Sequence, residues 1–280
     1  MGNGRITEHN MKIGIGTYTY TWAIGVPGHP PQQPLDAFGL LAKAQQLGVQ
    51  VVQFCENLPL TGLSETELAA LIGHAHSRGI SLEIGTRGLN PENLRAHLRL
   101  AVRLGCGFVR LVIDSAGDEP SAEEAVRRLA PLMPEWAAAG VRLGIENHDR
   151  FSAAVLAEMV RQLGEDRAGI VLDTVNSFGA LEPPATVVKI LAPYVVSLHV
   201  KDFVVRRMDH RMGLVIEGRP AGAGRLDIPG TLDELRAAGR DFNAIVELWP
   251  PPAARLEQTL DCESDWAESS VRYLRTLITG

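Results

Sequence analysis

The sequence predicts an α/β protein of the (β/α)8 TIM barrel class, folded as a single domain over residues 1–280. Three observations lead there. About eight short, nearly continuously apolar runs recur along the chain: MKIGIGT, VQVVQFC, SLEIG, FVRLVI, VRLGIE, GIVLD, VVSLHV and NAIVEL. Such runs mark parallel strands covered by helices on the outside. Longer Ala/Leu/Arg-rich stretches with helical spacing lie between them. The alternation shows no break in composition, and barrels of about 250 residues form one domain.

Taken in order, residues 1–10 form a polar N-terminal extension ahead of the first strand. That strand is followed by Thr17-Tyr18-Thr19-Tyr20. The rival open sheet that binds dinucleotides would need a G-x-G-x-x-G turn there, and none is present. Helices are predicted over Leu35–Leu47, Ser64–Arg78, Asn90–Leu104, Ser121–Ala139, Ser152–Leu163 and Glu263–Leu277. Ser64 with Glu67 makes a capping box, and Asn90-Pro91 places a cap before a first-turn proline. Four helix-to-strand joints carry a glycine (LGV, RGI, LGC, AGV) suited to the left-handed residue that ends a helix. One long irregular stretch, residues 202–228, follows the seventh strand and contains GRPAGAG. A loop of that length in a compact domain is usually functional.

Net charge −6 gives no general attraction to nucleic acid or anionic membrane, so neither is expected as a partner. No apolar run reaches the roughly 18 residues of a membrane span. The N-terminus shows no apolar core of a secretory signal. Cys55, Cys106 and Cys262 form no CxxC pair and are odd in number, which suits reduced thiols and a cytoplasmic location.

In such a barrel the functional side chains stand at the C-terminal strand ends. The fifth strand ends in Glu146, the sixth in Asp173, the seventh in His199 and the eighth in Glu247. Any one of them could instead cap a helix, pair with an arginine or, for His199, sit hydrogen-bonded in the core. Four at one level of adjacent strands are costly to bury unless paired or bound to a cation. Three carboxylates and one imidazole suit Mn2+ or Mg2+ better than a closed structural zinc.

The segments LGIENHD, VLDTVN, SLHVKDF and IVELWP together resemble the xylose-isomerase-like TIM barrels of the sugar phosphate isomerase/epimerase superfamily. The likeness runs over nearly the whole chain. It implies one divalent metal ion, Mn2+ first and Mg2+, Co2+, Fe2+ or Zn2+ otherwise, held by Glu146, Asp173, His199 and Glu247. It also implies that Glu146 and Glu247 act as the acid/base pair of a ketose epimerase. Two positions depart from the epimerase pattern: Asn176 stands in place of a histidine and Val205 in place of an arginine.

Further residues are candidates around that centre. Lys201 shares the face of His199 and either neutralises an alkoxide or pairs with a carboxylate. His148, Asn176, Glu56, Trp22 and Trp249 are expected at the substrate, although His148 could equally support Glu146, and the aromatics could be rim packing. Arg219 is the expected substrate contact from the loop. Glu83 is expected to form an internal ion pair with Arg87 or Arg110. The predicted activity is a sugar isomerase or epimerase that removes a proton next to a ketose carbonyl through a metal-stabilised enediolate. The alternative is a lyase or dehydratase acting on a keto-sugar, keto-inositol or glycoside derivative. A non-catalytic sugar binder would not need paired glutamates, and an abasic-site endonuclease would need a larger metal cluster and a basic face. The partner is a small sugar or polyol, and a homo-oligomer is a candidate assembly.

Overall fold

The computed structural model describes residues 11–240 and 242–279; the expected N-terminal extension, residues 1–10, lies outside the described residues. Eight parallel strands close into a barrel: β1 (Ile13–Gly16), β2 (Val51–Phe54), β3 (Ser81–Arg87), β4 (Phe108–Val112), β5 (Arg142–Glu146), β6 (Ala168–Asp173), β7 (Val195–Val200) and β10 (Ala244–Val246). The expectation of one TIM barrel holds. Between β7 and β10 the chain adds β8 (Asp202–Arg207) and β9 (Leu214–Arg219), which pair antiparallel with each other.

The helices are α1 (Thr21–Ile24), α2 (Ala37–Leu47), α3 (Glu65–His76), α4 (Pro91–Leu104), α5 (Ala122–Leu129), α6 (Met133–Ala139), α7 (Ala153–Leu163), α8 (Pro184–Leu191), α9 (Ile228–Ala237) and α10 (Leu256–Leu274). The capping box forms: the Ser64 side chain accepts from Glu67 N, and the Glu67 carboxylate accepts from Ser64 N. Asn90 caps α4 by accepting from the backbone N–H groups of Glu92 and Asn93. Gly48, Gly79, Gly105 and Gly140 take φ of +64°, +65°, +67° and +66°, the left-handed turn into the next strand that the repeated glycines predict. Large aliphatic side chains such as Leu40, Leu94, Leu143 and Leu191 are fully buried between strands and helices.

Three expectations are corrected. The stretch 121–139 is two helices rather than one. A 3-10 turn over Ala130–Leu132 joins them, because Pro131 and Pro134 lack the N–H a continuous helix would use. Helix α10 begins at Leu256, seven residues before Glu263. The stretch 202–228 is not irregular throughout. Its first part is the β8–β9 hairpin, and only the turn after it is loop.

That turn is organised by one side chain. Asp202 is buried, and its Oδ1 accepts from Phe203 N (2.7 Å) and Leu226 N (3.0 Å). Its Oδ2 accepts from Gly222 N and Gly224 N, both at 2.9 Å. The Asp202 carboxylate therefore stands where a Cβ at position 224 would go, and Gly222 takes a φ of +85°. These two features explain Gly222 and Gly224 of GRPAGAG. Asp202→Ala leaves these N–H groups without their acceptor. It is expected to lower stability by about 2–4 kcal/mol, measured by urea unfolding, without opening the barrel.

Candidate active site

The barrel closure brings the four strand-end residues to one mouth, as the sequence predicts. Asp173 and His199 are register partners on β6 and β7, and Glu247 follows β10 directly. Ligand atoms of Glu146, Asp173 and His199 lie within 4.8 Å of one another, and all three residues are buried. Glu247 adjoins this group through His199, with Oε1 3.0 Å from His199 Nδ1.

The polar atoms at the centre fit a cation. Asp173 Oδ2 and His199 Nδ1 are buried and have no hydrogen-bond partner among the described residues. Lys201 Nζ lies 2.8 Å from Asp173 Oδ2 and 2.9 Å from Glu247 Oε2, close enough for charge attraction but without hydrogen-bond angles. Burial and the neighbouring charges of Glu247 and Glu146 push the Asp173 carboxyl up against the pull of Lys201. Burial alone would raise Glu247 too, but His199 and Lys201 hold it well below the usual carboxylate range. Burial alone would depress His199, and Glu247 with Glu146 raises it instead. Orphaned oxygen and nitrogen atoms among crowded carboxylates are what a divalent ion would satisfy.

Around this centre the structure sorts the remaining candidates. Asn176 Nδ2 donates to Glu146 Oε1 at 2.8 Å, and Asn176 Oδ1 accepts from Lys201 Nζ at 3.2 Å. The other oxygen of Glu146 is bound by Arg110, a buried guanidinium that also grips Glu56 at 2.6 Å. Glu56 further accepts from the Tyr18 hydroxyl (2.9 Å) and from Arg87 Nε (3.1 Å). It is thus engaged in holding Arg110. Glu83 pairs with neither Arg87 nor Arg110, contrary to expectation; it lies deeper, bound by Gln53 and Asn243.

A cavity of about 330 Å3 opens above the centre, lined by Tyr18, Trp22, Val175, Asn176, Lys201 and Trp249 among others. Trp22 Nε1 donates to Pro250 O (3.1 Å) and Trp249 Nε1 to Asp202 O (3.3 Å), so both indoles are tied down as walls. His148 and Arg219 do not line this cavity. His148 Nδ1 faces Asp149 at 2.9 Å, and Arg219 turns back on its own hairpin, donating to Gly218 O and facing Glu217. The hairpin backs the mouth indirectly, through the packing of Gly218 against Trp249.

Sequence reasoning missed Gln53, the role of Arg110 and the role of Glu263. Glu263 on α10 is fully buried and accepts from Trp22 N (2.8 Å) and Ala23 N (3.0 Å), which fixes the segment that carries Trp22 into the mouth.

The chain belongs to the xylose isomerase-like TIM barrel family, whose pattern matches residues 41–276. It is 34% identical over 268 residues to the 3-oxo-isoapionate decarboxylase of Pectobacterium atrosepticum, covering 95% of this chain and 96% of that protein. Among solved structures, the D-psicose 3-epimerase of Clostridium cellulolyticum with D-tagatose is similar in fold (TM-score 0.72, 16% identity, covering 96% and 100% of the two chains). So is a xylose isomerase-like TIM barrel protein of Mycobacterium smegmatis in complex with magnesium (TM-score 0.69, 14% identity, covering 94% and 98%). Among the described residues, no helix is long and apolar enough to cross a membrane.

Two predictions follow from the geometry. Asp173→Asn or His199→Ala is expected to weaken retention of a divalent ion on the order of 100-fold or more, read by titration calorimetry, while the circular dichroism spectrum stays that of the wild type. The second concerns Glu263. Burial pushes its carboxyl from 4.5 up to about 7, against the hydrogen bonds from Trp22 and Ala23. A carboxyl raised in the folded state binds more protons there than in the unfolded chain, so its contribution to stability falls as pH rises from about 4.5 to about 7. The stability of the wild type relative to Glu263→Gln should therefore be greater at the acid end of that window, as urea midpoints at each end would show.

Proposed function

We propose that this protein is a divalent-metal-dependent lyase that removes carbon dioxide from an oxo sugar acid. One observation carries this choice over the isomerase or epimerase alternative. The likeness to a decarboxylase holds at 34% identity over nearly the full length of both chains, whereas the epimerase likeness, at 16%, speaks to the fold alone.

Two features of the site support it. Among the described residues, Glu56, Glu146, Asp173 and Glu247 meet only Arg87, Arg110 and Lys201 as permanent cations. With a divalent ion added, positive charge is in excess by one, which complements a carboxylate-bearing substrate better than a neutral sugar. Secondly, both oxygens of Glu146 are engaged, one by Arg110 and one by Asn176, and Glu247 is held as an anion by His199 and Lys201. Carboxylates held this way are weak bases, and epimerisation needs a strong one over the carbon. Loss of carbon dioxide needs none.

In a 3-oxo acid the bond between the carboxylate and its neighbouring carbon breaks, and its electron pair passes toward the oxo group. Carbon dioxide leaves, and the carbon takes one proton from solvent-exchangeable sources. A divalent ion held by Glu146, Asp173, His199 and Glu247 would supply Lewis-acid charge at the oxo group. Lys201, at the cavity floor beside Asn176, sets an ammonium against the developing oxyanion. Trp22, Trp249 and Val175 give the cavity apolar walls, where a carboxylate loses hydration that the departing neutral molecule does not need.

The test is direct. The enzyme loaded with Mn2+ and, separately, with Mg2+ is given 3-oxo-isoapionate in D2O, with D-psicose and D-fructose in parallel tubes. Carbon dioxide released in step with substrate loss, and one deuterium in the product, is the expected result. Lys201→Met should slow turnover by about 100-fold or more without removing the metal. Interconversion of the ketoses with no carbon dioxide from the oxo acid would return the protein to the epimerases.

A further inference from the structure

Beneath the mouth, His199 is one end of a polar chain whose other members none of this chemistry uses. Gln53 on β2, Glu83 on β3 and His199 on β7 are buried, and Asn243 stands just ahead of β10. His199 Nε2 lies 2.8 Å from Gln53 Oε1. Gln53 Nε2 donates to Glu83 Oε2 at 3.1 Å, and Asn243 Nδ2 donates to Glu83 Oε1 at 2.7 Å. Lys12 N donates to Asn243 Oδ1 at 3.3 Å, which sets the direction of that amide.

Each link constrains the next. Glu83 faces two amide N–H donors, one on each oxygen, and forms no salt bridge among the described residues. With Glu83 ionised, Gln53 turns its NH2 toward it and its carbonyl oxygen toward His199. A carbonyl oxygen only accepts, so His199 must carry its proton on Nε2. The lone pair of Nδ1 is then left facing the gap between Glu146, Asp173 and Glu247. Without this relay the ring could carry its proton on Nδ1 instead, on the side of Glu247 Oε1 at 3.0 Å.

We propose that Glu83 and Gln53 are positioning residues that fix His199 as its Nε2–H tautomer and so keep Nδ1 ready to bind a divalent ion. The inference rests on the metal-centre reading for its purpose, but the tautomer itself is a property of the chain alone. An amide relaying a buried carboxylate to a ligating histidine has the same effect as the direct carboxylate–histidine contact common at metal sites: it orients the ring and raises the basicity of the ligating nitrogen.

The experiment uses the full chain with 15N-labelled histidine, metal-free, at a pH where the ring is neutral. Long-range 1H–15N correlation reports the tautomer, and His199→Asn assigns the signal. Calorimetry with Mn2+ gives the affinity of the same samples. The wild type is expected to show Nε2–H. Glu83→Gln, which touches neither the ring nor the ion, lets Gln53 flip, and should mix the tautomers and weaken Mn2+ binding by about 10- to 100-fold. Gln53→Met should do the same, and serves if Glu83→Gln fails to fold. Glu135→Gln, on the outer surface, should change neither readout. A wild-type His199 protonated on Nδ1, or variants that keep both tautomer and affinity, would overturn the proposal. If the wild type bound no Mn2+, the metal reading would fall, and the tautomer measurement would still decide the relay.

Discussion

The mouth of this barrel depends on one constraint: carboxylates that the fold forces together must not be left facing one another in a dry interior. Glu146, Asp173 and Glu247 are almost wholly inaccessible to solvent. Three such anions would be untenable without compensation. Arg110 meets one of them and Lys201 the other two, and Asp173 Oδ2 and His199 Nδ1, which make no hydrogen bond among the described residues, can take a further cation. Glu56 then has a clear purpose. Arg110 is itself buried, and a guanidinium held only by Glu146 would keep a single geometry poorly. The second carboxylate, steadied by Tyr18 and Arg87, fixes it.

The same constraint explains what was legible in the sequence. Charged residues at strand ends stand out against apolar runs, so Glu146, Asp173, His199 and Glu247 are legible in the sequence alone. Gln53 was hidden by the same rule, since it is one polar letter inside VQVVQFC, and Arg110 was expected to pair with Glu83 rather than with Glu56 and Glu146. The partners of Glu83 were beyond reach for a different reason. Asn243 is 160 residues away, and neighbours across a closed barrel depend on strand stagger, which periodicity does not encode.

The β8–β9 hairpin shows a signal that was present but outweighed. DFVVRR and LVIEGR carry the β-branched residues of strands. The GRPAGAG that follows suggested a loop instead. Helices α8 and α9 escaped notice because they are short and open on a proline, which in isolation suggests a break. None of these omissions moved the site, because the barrel strands alone set its position.

Four successive residues show how tightly the site and its surroundings are joined. His199, Val200, Lys201 and Asp202 span the end of β7 and the start of the hairpin. His199 turns into the barrel toward Gln53, and Val200 is buried in the core. Lys201, two residues beyond His199 and on the same face, reaches the carboxylates from above. Asp202 points away, into the turn that closes the hairpin, while its backbone carbonyl accepts from the Trp249 indole on the cavity wall. The period of two along one strand thus separates the group facing the chemistry from the group that builds its enclosure. A shift of one residue that brought Asp202 to the place of Lys201 would put a carboxylate among carboxylates and an ammonium at the buried place of Val200. The register of β7 is therefore held by electrostatics as well as by packing.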